Sequence, residues 1–242
     1  MERAIAQAAL QKLGQRIALL LQSNFIGFYV MGSFTMGAWN PQSSDLDFLV
    51  VLKHPTTSDE EAALQALHAE LAQSEFGKRL EGEYIDIETL RQKKFDTPIG
   101  TVLDGLYVPN YPGQLSADNV LCLIQYGQCI TGKPIEQLSL HVTAQELSEA
   151  VYEMLQEDSE ELATATDTQA IAHLLIDSLR CIYTLRTGQL PTKQKAIAFN
   201  RDLLSERLFT TLTEFLEGRL PQTPVSQAEV QSILAYGLAL KP

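Results

Sequence analysis

Residues 31–52 read MGSFTMGAWNPQSSDLDFLVVL, and the order of residue types in this stretch decides the fold. Gly32 closes the preceding run Phe25-Ile26-Gly27-Phe28-Tyr29-Val30, a short apolar segment rich in β-formers that fits a buried strand. A polar loop follows through Trp39, Asn40, Pro41, Gln42, Ser43 and Ser44. Acid and apolar residues then alternate from Asp45 to Phe48, before the run turns wholly apolar as far as Leu52. Period-two alternation sets Asp45 and Asp47 on the same face of a strand.

Working outward, residues up to about 22 carry apolar positions at helical spacing. Thr57-Ser58-Asp59-Glu60-Glu61 offers N-cap candidates and first-turn acids for a helix reaching Ser74. Arg79 to Ile87 reads as a third strand. Asp96 to Gln114, with its Pro and Gly residues, reads as a connector. Beyond Ser116 the character is helical, over 117–129, 143–156, 168–187, 201–217 and 225–240, with turns at Gly132-Lys133-Pro134 and Leu220-Pro221. The expectation is an α+β protein. Residues 1–114 form an α/β catalytic domain with a small mixed sheet, and residues 115–242 form an α-helical bundle.

The 45% hydrophobic and 20% charged fractions fit a globular protein, and no apolar run approaches the ~20 residues of a membrane span. The N-terminal segment lacks the separate basic, apolar and cleavage regions of a signal peptide, so a cytoplasmic location is expected. Cys122, Cys129 and Cys181 show no metal or redox spacing and read as buried thiols, the first two sharing a helix face. His54, His68, His141 and His173 likewise form no local metal pattern. A net charge of −12 argues against duplex nucleic acid, whose phosphates need clustered Lys and Arg, and suits a small cationic partner. The imbalance is local. No Lys or Arg lies between Lys133 and Arg180, while Glu146, Asp158, Asp167, Asp177 and six further acids do. Most read as a solvated helical face, though a field of this sign concentrates cations.

Gly32-Ser33, eleven intervening residues and then Asp45-x-Asp47 give the chemistry. Transfer of a phosphoryl or nucleotidyl group needs a glycine-tight turn whose amides and hydroxyl approach a triphosphate. It also needs hard oxygen ligands to hold Mg²⁺ against that triphosphate. Two carboxylates on one strand face can share such an ion, which offsets their mutual repulsion. Gly37 supplies flexibility or close backbone approach in the same loop. Trp39, the only tryptophan, either packs over the loop or stacks on a base. For a general base the residues leave Glu81, Glu83 and Asp86 open.

These residues resemble the signature of the DNA-polymerase-β-like nucleotidyltransferase superfamily, most closely its aminoglycoside adenylyltransferase branch. Leu80-Glu81-Gly82-Glu83-Tyr84-Ile85 is similar to the branch's third-carboxylate strand, and Leu179 to Gly188 followed by Lys193 and Ala196 is similar to its C-terminal helical motif. The resemblance implies that Asp45 and Asp47 bind Mg²⁺, that Glu81 is the base, and that Gly32, Ser33 and Lys193 hold ATP phosphates. It also implies that His173 lines the acceptor side, and that AMP passes to a hydroxyl of a small aminoglycoside-like substrate. This chain departs from the streptomycin and spectinomycin enzymes in having no tryptophan after the third carboxylate; Tyr107 or Tyr111 are the aromatic alternatives. Transfer to another metabolite or to a protein side chain, as in toxin–antitoxin systems, and a nucleotide-binding regulator without turnover are the rival readings. Gly127 to Pro134 comes within one residue of a Walker A loop, but Pro134 replaces the metal-binding hydroxyl and the segment follows a helix, so it reads as a helix end.

Overall fold

The computed structural model describes residues 2–113, 115–219 and 225–242; the turn expected at Leu220-Pro221 lies outside them. The chain divides into two compact units, Met1–His141 and Val142–Pro242.

The first unit is built on α1 (Arg3–Leu21), β1 (Phe25–Val30), β2 (Leu46–Leu52), α2 (Ser58–Leu71), β3 (Leu80–Asp86), α3 (Ile87–Gln92), β4 (Ile99–Leu103), β5 (Leu106–Tyr111), α4 (Ala117–Tyr126) and β6 (Gln128–Gly132). The six strands form one sheet in the order β5-β4-β3-β2-β1-β6. Only β2 and β3 run parallel, with α2 as the crossover that a parallel pair requires. Leu46, Phe48, Val50 and Leu52 of β2 alternate into a core shared with Leu10, Leu13 and Ile17 of α1 and Leu64 and Leu67 of α2. That core seals one face of the sheet and leaves the odd-numbered side chains of β2 and β3 on the other. Thr57 and Glu60 close a reciprocal capping box at the start of α2, so the first-turn acids expected there set the helix end. His68 is wholly buried in the core, its Nε2 2.8 Å from Tyr84 Oη, and burial lowers its pKa to about 4.

Several sequence expectations are corrected in this unit. The presumed connector holds a β-hairpin, β4 and β5, whose two-residue loop is Asp104-Gly105 with φ of 49° and 80°. Both angles lie in the left-handed region that a tight hairpin turn demands. The helix expected over 117–129 ends at Tyr126, and residues 128–132 turn into β6, which pairs with β1. The first unit therefore runs to His141 and not to 114, because β6 is hydrogen-bonded into the sheet. Cys129 accordingly lies on a strand, apart from the helix that carries Cys122.

The second unit consists of α5 (Ala144–Leu162), α6 (Thr168–Thr187), α7 (Lys193–Phe199), α8 (Glu206–Leu216) and α9 (Gln227–Ala239). Several residues of the acidic run have local structural work. Glu146 completes a capping box with Thr143, Asp167 caps α6, and Asp177 pairs with Arg180 at 3.1 Å. Asn200 is fully buried and donates to Leu179 O and Ala196 O, both at 3.0 Å, which ties α6 to α7 through the motif read at 179–196. No described helix is long and apolar enough to cross a membrane.

Asp158, on α5, accepts a 2.8 Å hydrogen bond from Ser178 Oγ, yet burial and the charges of Asp177, Glu161 and Glu157 push its pKa up to about 7. A carboxyl raised in the folded state penalises folding once it must ionise, so its cost grows as pH rises from about 4 to about 7 and is constant above. Asp158→Asn keeps an acceptor for Ser178 and should raise the melting temperature at pH 8 while changing it little at pH 4; calorimetry at the two values checks this.

Candidate active site

Asp47 stands on β2 opposite Glu81 of β3, its direct partner in the parallel register, and Asp45 immediately precedes the strand. Asp45 is exposed and Asp47 half-buried, whereas Leu46 and Phe48 between and beyond them are in the core. The alternation expected from sequence thus separates acids from core. Glu81 is half-buried, and its pKa is pushed up to about 7, first by burial and then by the charges of Asp45, Asp47 and Asp104. Three acids therefore act on one carboxyl.

Gly32 opens a single turn of 3-10 helix, Gly32–Phe34, in the left-handed region with φ of 66°. A Cβ at this position would stand 2.1 Å from Asp47 Oδ2, so the turn and the carboxylate are packed together. Met31 N also donates to Asp47 O at 3.0 Å. The amides that begin such a turn have no partner within it, and they suit phosphate oxygens. Arg3 steadies the turn from α1, stacking 4.1 Å over the Phe34 ring and donating to Phe34 O. Trp39 packs edge-on against Phe34, and its Nε1 donates to Asp45 O at 3.1 Å, which is the covering role among the two expected of it.

Arg79, the residue before β3, was not singled out by sequence. Its guanidinium donates to Pro41 O at 2.7 Å, Gln42 O at 2.8 Å and Ser44 O at 3.4 Å, clamping the loop that delivers Asp45. Asp104 was also missed, although Asp-Gly is the standard signal for a hairpin turn. Gly105 N donates to Leu80 O at 3.0 Å, which brings Asp104 beside Glu81.

Of the other candidates for a base, Asp86 accepts from Glu88 N and Thr89 N as the cap of α3. Glu83 is 5% exposed and sits one step further along β3 from Asp47, opposite Leu49. Lys193 and His173 belong to the second unit. Lys193 begins α7, and His173 lies exposed on α6 with its ring 4.8 Å from Phe215. Tyr107 is in the core of the first unit, and Tyr111 ends β5. A pocket on the first unit is lined by Met31, Asp47, Glu81, Glu83, Thr101 and Asn119, among others.

The arrangement fits a hard divalent cation. Acids that burden one another electrostatically, as Asp45, Asp47 and Glu81 do, are relieved by a positive ion. No three His, Cys, Asp or Glu side chains among the described residues converge as a complete protein cage. One or two carboxylates suffice for an ion that keeps waters and takes phosphate oxygens for its remaining positions, as Mg²⁺ does.

A parallel strand pair bearing Asp-x-Asp and Glu, beside a glycine turn, is the arrangement that the sequence resemblance implies for this unit. Residues 16–101, all within the first unit, match the family model described as nucleotidyltransferase domain. The chain has the fold seen in the crystal structure of a spectinomycin adenyltransferase from Enterococcus faecialis with ATP and spectinomycin. The TM-score is 0.65 at 19% identity, covering 93% of this chain and 95% of that one. A toxin–antitoxin structure with AMP-PNP also matches, at TM-score 0.29 and 15% identity over 62% of this chain and 94% of that one. No curated protein sequence matches at a significant level.

Proposed function

We propose that this protein transfers AMP from ATP to a hydroxyl of a small, cationic, aminoglycoside-like acceptor in a Mg²⁺-dependent reaction. The observation that carries the reading is the register of Asp47 beside Glu81, with Gly32 packed against Asp47. The solved relative's ATP and spectinomycin support the same choice of nucleotide and acceptor class. In this reading Gly32 and Ser33 hold the triphosphate, and Asp45 and Asp47 hold Mg²⁺. When bound, the ion supplies positive charge against the triphosphate.

Glu81 takes the proton of the acceptor hydroxyl as that oxygen attacks the α-phosphate in line. The bond from the α-phosphorus to its bridging oxygen breaks, and pyrophosphate leaves. Glu81 suits the role better than Glu83 because it lies level with Asp47 and is less deeply buried. Lys193 for the phosphates, from the motif at 179–196, and His173 for the acceptor complete the proposal on the strength of the family resemblance. An ATP-using enzyme of this kind suits the cytoplasm.

Incubation of the protein with labelled ATP, Mg²⁺ and a panel of aminoglycosides and aminocyclitols tests the reading. Label on one of the compounds is expected. Label on protein, or nucleotide binding with no labelled product, overturns it. Arg79→Ala should lower turnover on the order of tenfold to a hundredfold by loosening the loop that carries Asp45, with little change in melting temperature. Arg79→Lys should not restore it, because one ammonium cannot reproduce a planar fork bonded to carbonyl oxygens on both of its nitrogens. Pyrophosphate release for the two variants checks both statements.

A further inference from the structure

The pocket continues past the carboxylates assigned to catalysis. Glu83 shares with Glu81 the open face of β3, between Leu49 of β2 and Thr101 of β4 in the register of the sheet. The two side chains are deeply buried, Glu83 at 5% exposure and Thr101 at 1%, and both line the pocket that Asp47 and Glu81 also line. Asn119 adds a third polar wall from α4, its Oδ1 fixed by Ser116 N at 2.9 Å. Thr101 Oγ1 is buried and has no hydrogen-bond partner among the described residues. Buried hydroxyls are nearly always bonded, so a bare one in a pocket wall points to a ligand that completes it.

The chemistry of the walls selects that ligand. A phosphate is repelled by Asp47, Glu81 and Glu83 together. A hydroxyl group brings a single donor and no charge. An ammonium brings three donors, enough to meet the Glu83 carboxylate and the Thr101 hydroxyl at once, and its charge answers that of the acid. We propose that Glu83 and Thr101 form an ammonium-binding subsite that selects acceptors bearing an amine on the same ring as the hydroxyl to be modified. The inference rests on the nucleotidyl-transfer reading above and adds to it which chemical feature of the acceptor is recognised. Two residues along a strand span about 7 Å, so an amine at Glu83 and a hydroxyl at Glu81 belong to different carbons of one six-membered ring.

The test uses the full chain and two probes: 2-deoxystreptamine, a diaminocyclitol, and scyllo-inositol, a cyclitol of the same ring size with hydroxyls alone. Calorimetric titration should show the diamine binding the parent protein more tightly than the inositol. Glu83→Gln should weaken the diamine about tenfold or more and leave the inositol as it was. Thr101→Val should weaken the diamine by a smaller factor, and Thr101→Ser should restore it. The Thr101 pair keeps the question answerable should Glu83→Gln fail to fold. Absence of diamine binding to the parent protein, or equal loss for both probes in the variants, overturns the subsite. Failure of the enzymatic reading looks different. There the diamine still distinguishes parent from Glu83→Gln while no compound in the panel receives AMP.

Discussion

Asp47→Asn should yield a folded protein that no longer releases pyrophosphate in the presence of ATP, Mg²⁺ and acceptor. The substitution keeps shape and removes one negative charge from the position nearest both the Gly32 turn and Glu81. If Asp47 holds the metal against the triphosphate as proposed, its loss should reduce kcat on the order of 10³-fold or more. The fold should not suffer. Glu81 is raised to about 7 partly by Asp47, so its ionisation costs stability progressively from pH 4.5 to 7, and removal of the Asp47 charge lessens that cost. In metal-free buffer the variant should therefore melt at or slightly above the parent temperature. Added Mg²⁺ should raise the parent's melting temperature more than the variant's, because only the parent keeps both carboxylates. Chelation should silence the parent enzyme. Pyrophosphate release retained in the variant would refute the assignment of Asp47 to the metal.

Gly32→Ala should be nearly as damaging to activity, for a reason that lies in the backbone. The residue has φ of 66°, which costs a residue with a side chain roughly 1–2 kcal/mol. The new methyl would stand 2.1 Å from Asp47 Oδ2, so the carboxylate must move away. A displacement of that kind costs on the order of 10²-fold in turnover, and the strain should lower the melting temperature by a few degrees. Gly37→Ala is the matched control. Its φ of 78° is equally unfavourable, but no atom lies within 4 Å of the added carbon. It should show the stability loss and a much smaller loss of turnover. Equal losses of turnover in the two variants would mean that contact with Asp47 is not what Gly32 provides.

Most of the catalytic half was readable because its signals are local. The run from Phe25 to Val30, the glycine, and the alternation from Asp45 to Phe48 each depend on neighbours within a few residues, and each formed where expected. The helices at 3–21, 58–71 and 168–187 were legible for the same reason, the second with its cap among the candidates at Thr57. For β6 the deciding partner was distant. Residues 128–132, only five long and ending in Gly132, become a strand by bonding to β1, about a hundred residues earlier in the chain. The β4–β5 hairpin carries a local signal, Asp104-Gly105, but the Pro and Gly residues around it give the segment the composition of a connector.

The sequence by itself determined that an apolar strand presents two acids beside a glycine turn, since side-chain alternation and glycine's freedom of φ are properties of a few consecutive residues. It also determined the alternatives for a third acid, Glu81, Glu83 and Asp86, without ranking them by position. Tertiary structure gave the three different surroundings. Parallel pairing of β2 with β3 set Glu81 level with Asp47, sank Glu83 against Thr101, and left Asp86 to cap α3. Only folding could bring Arg79 onto the carbonyls of Pro41 and Gln42, or Asp104 beside Glu81, because those proximities come from strand register between separate segments of the chain.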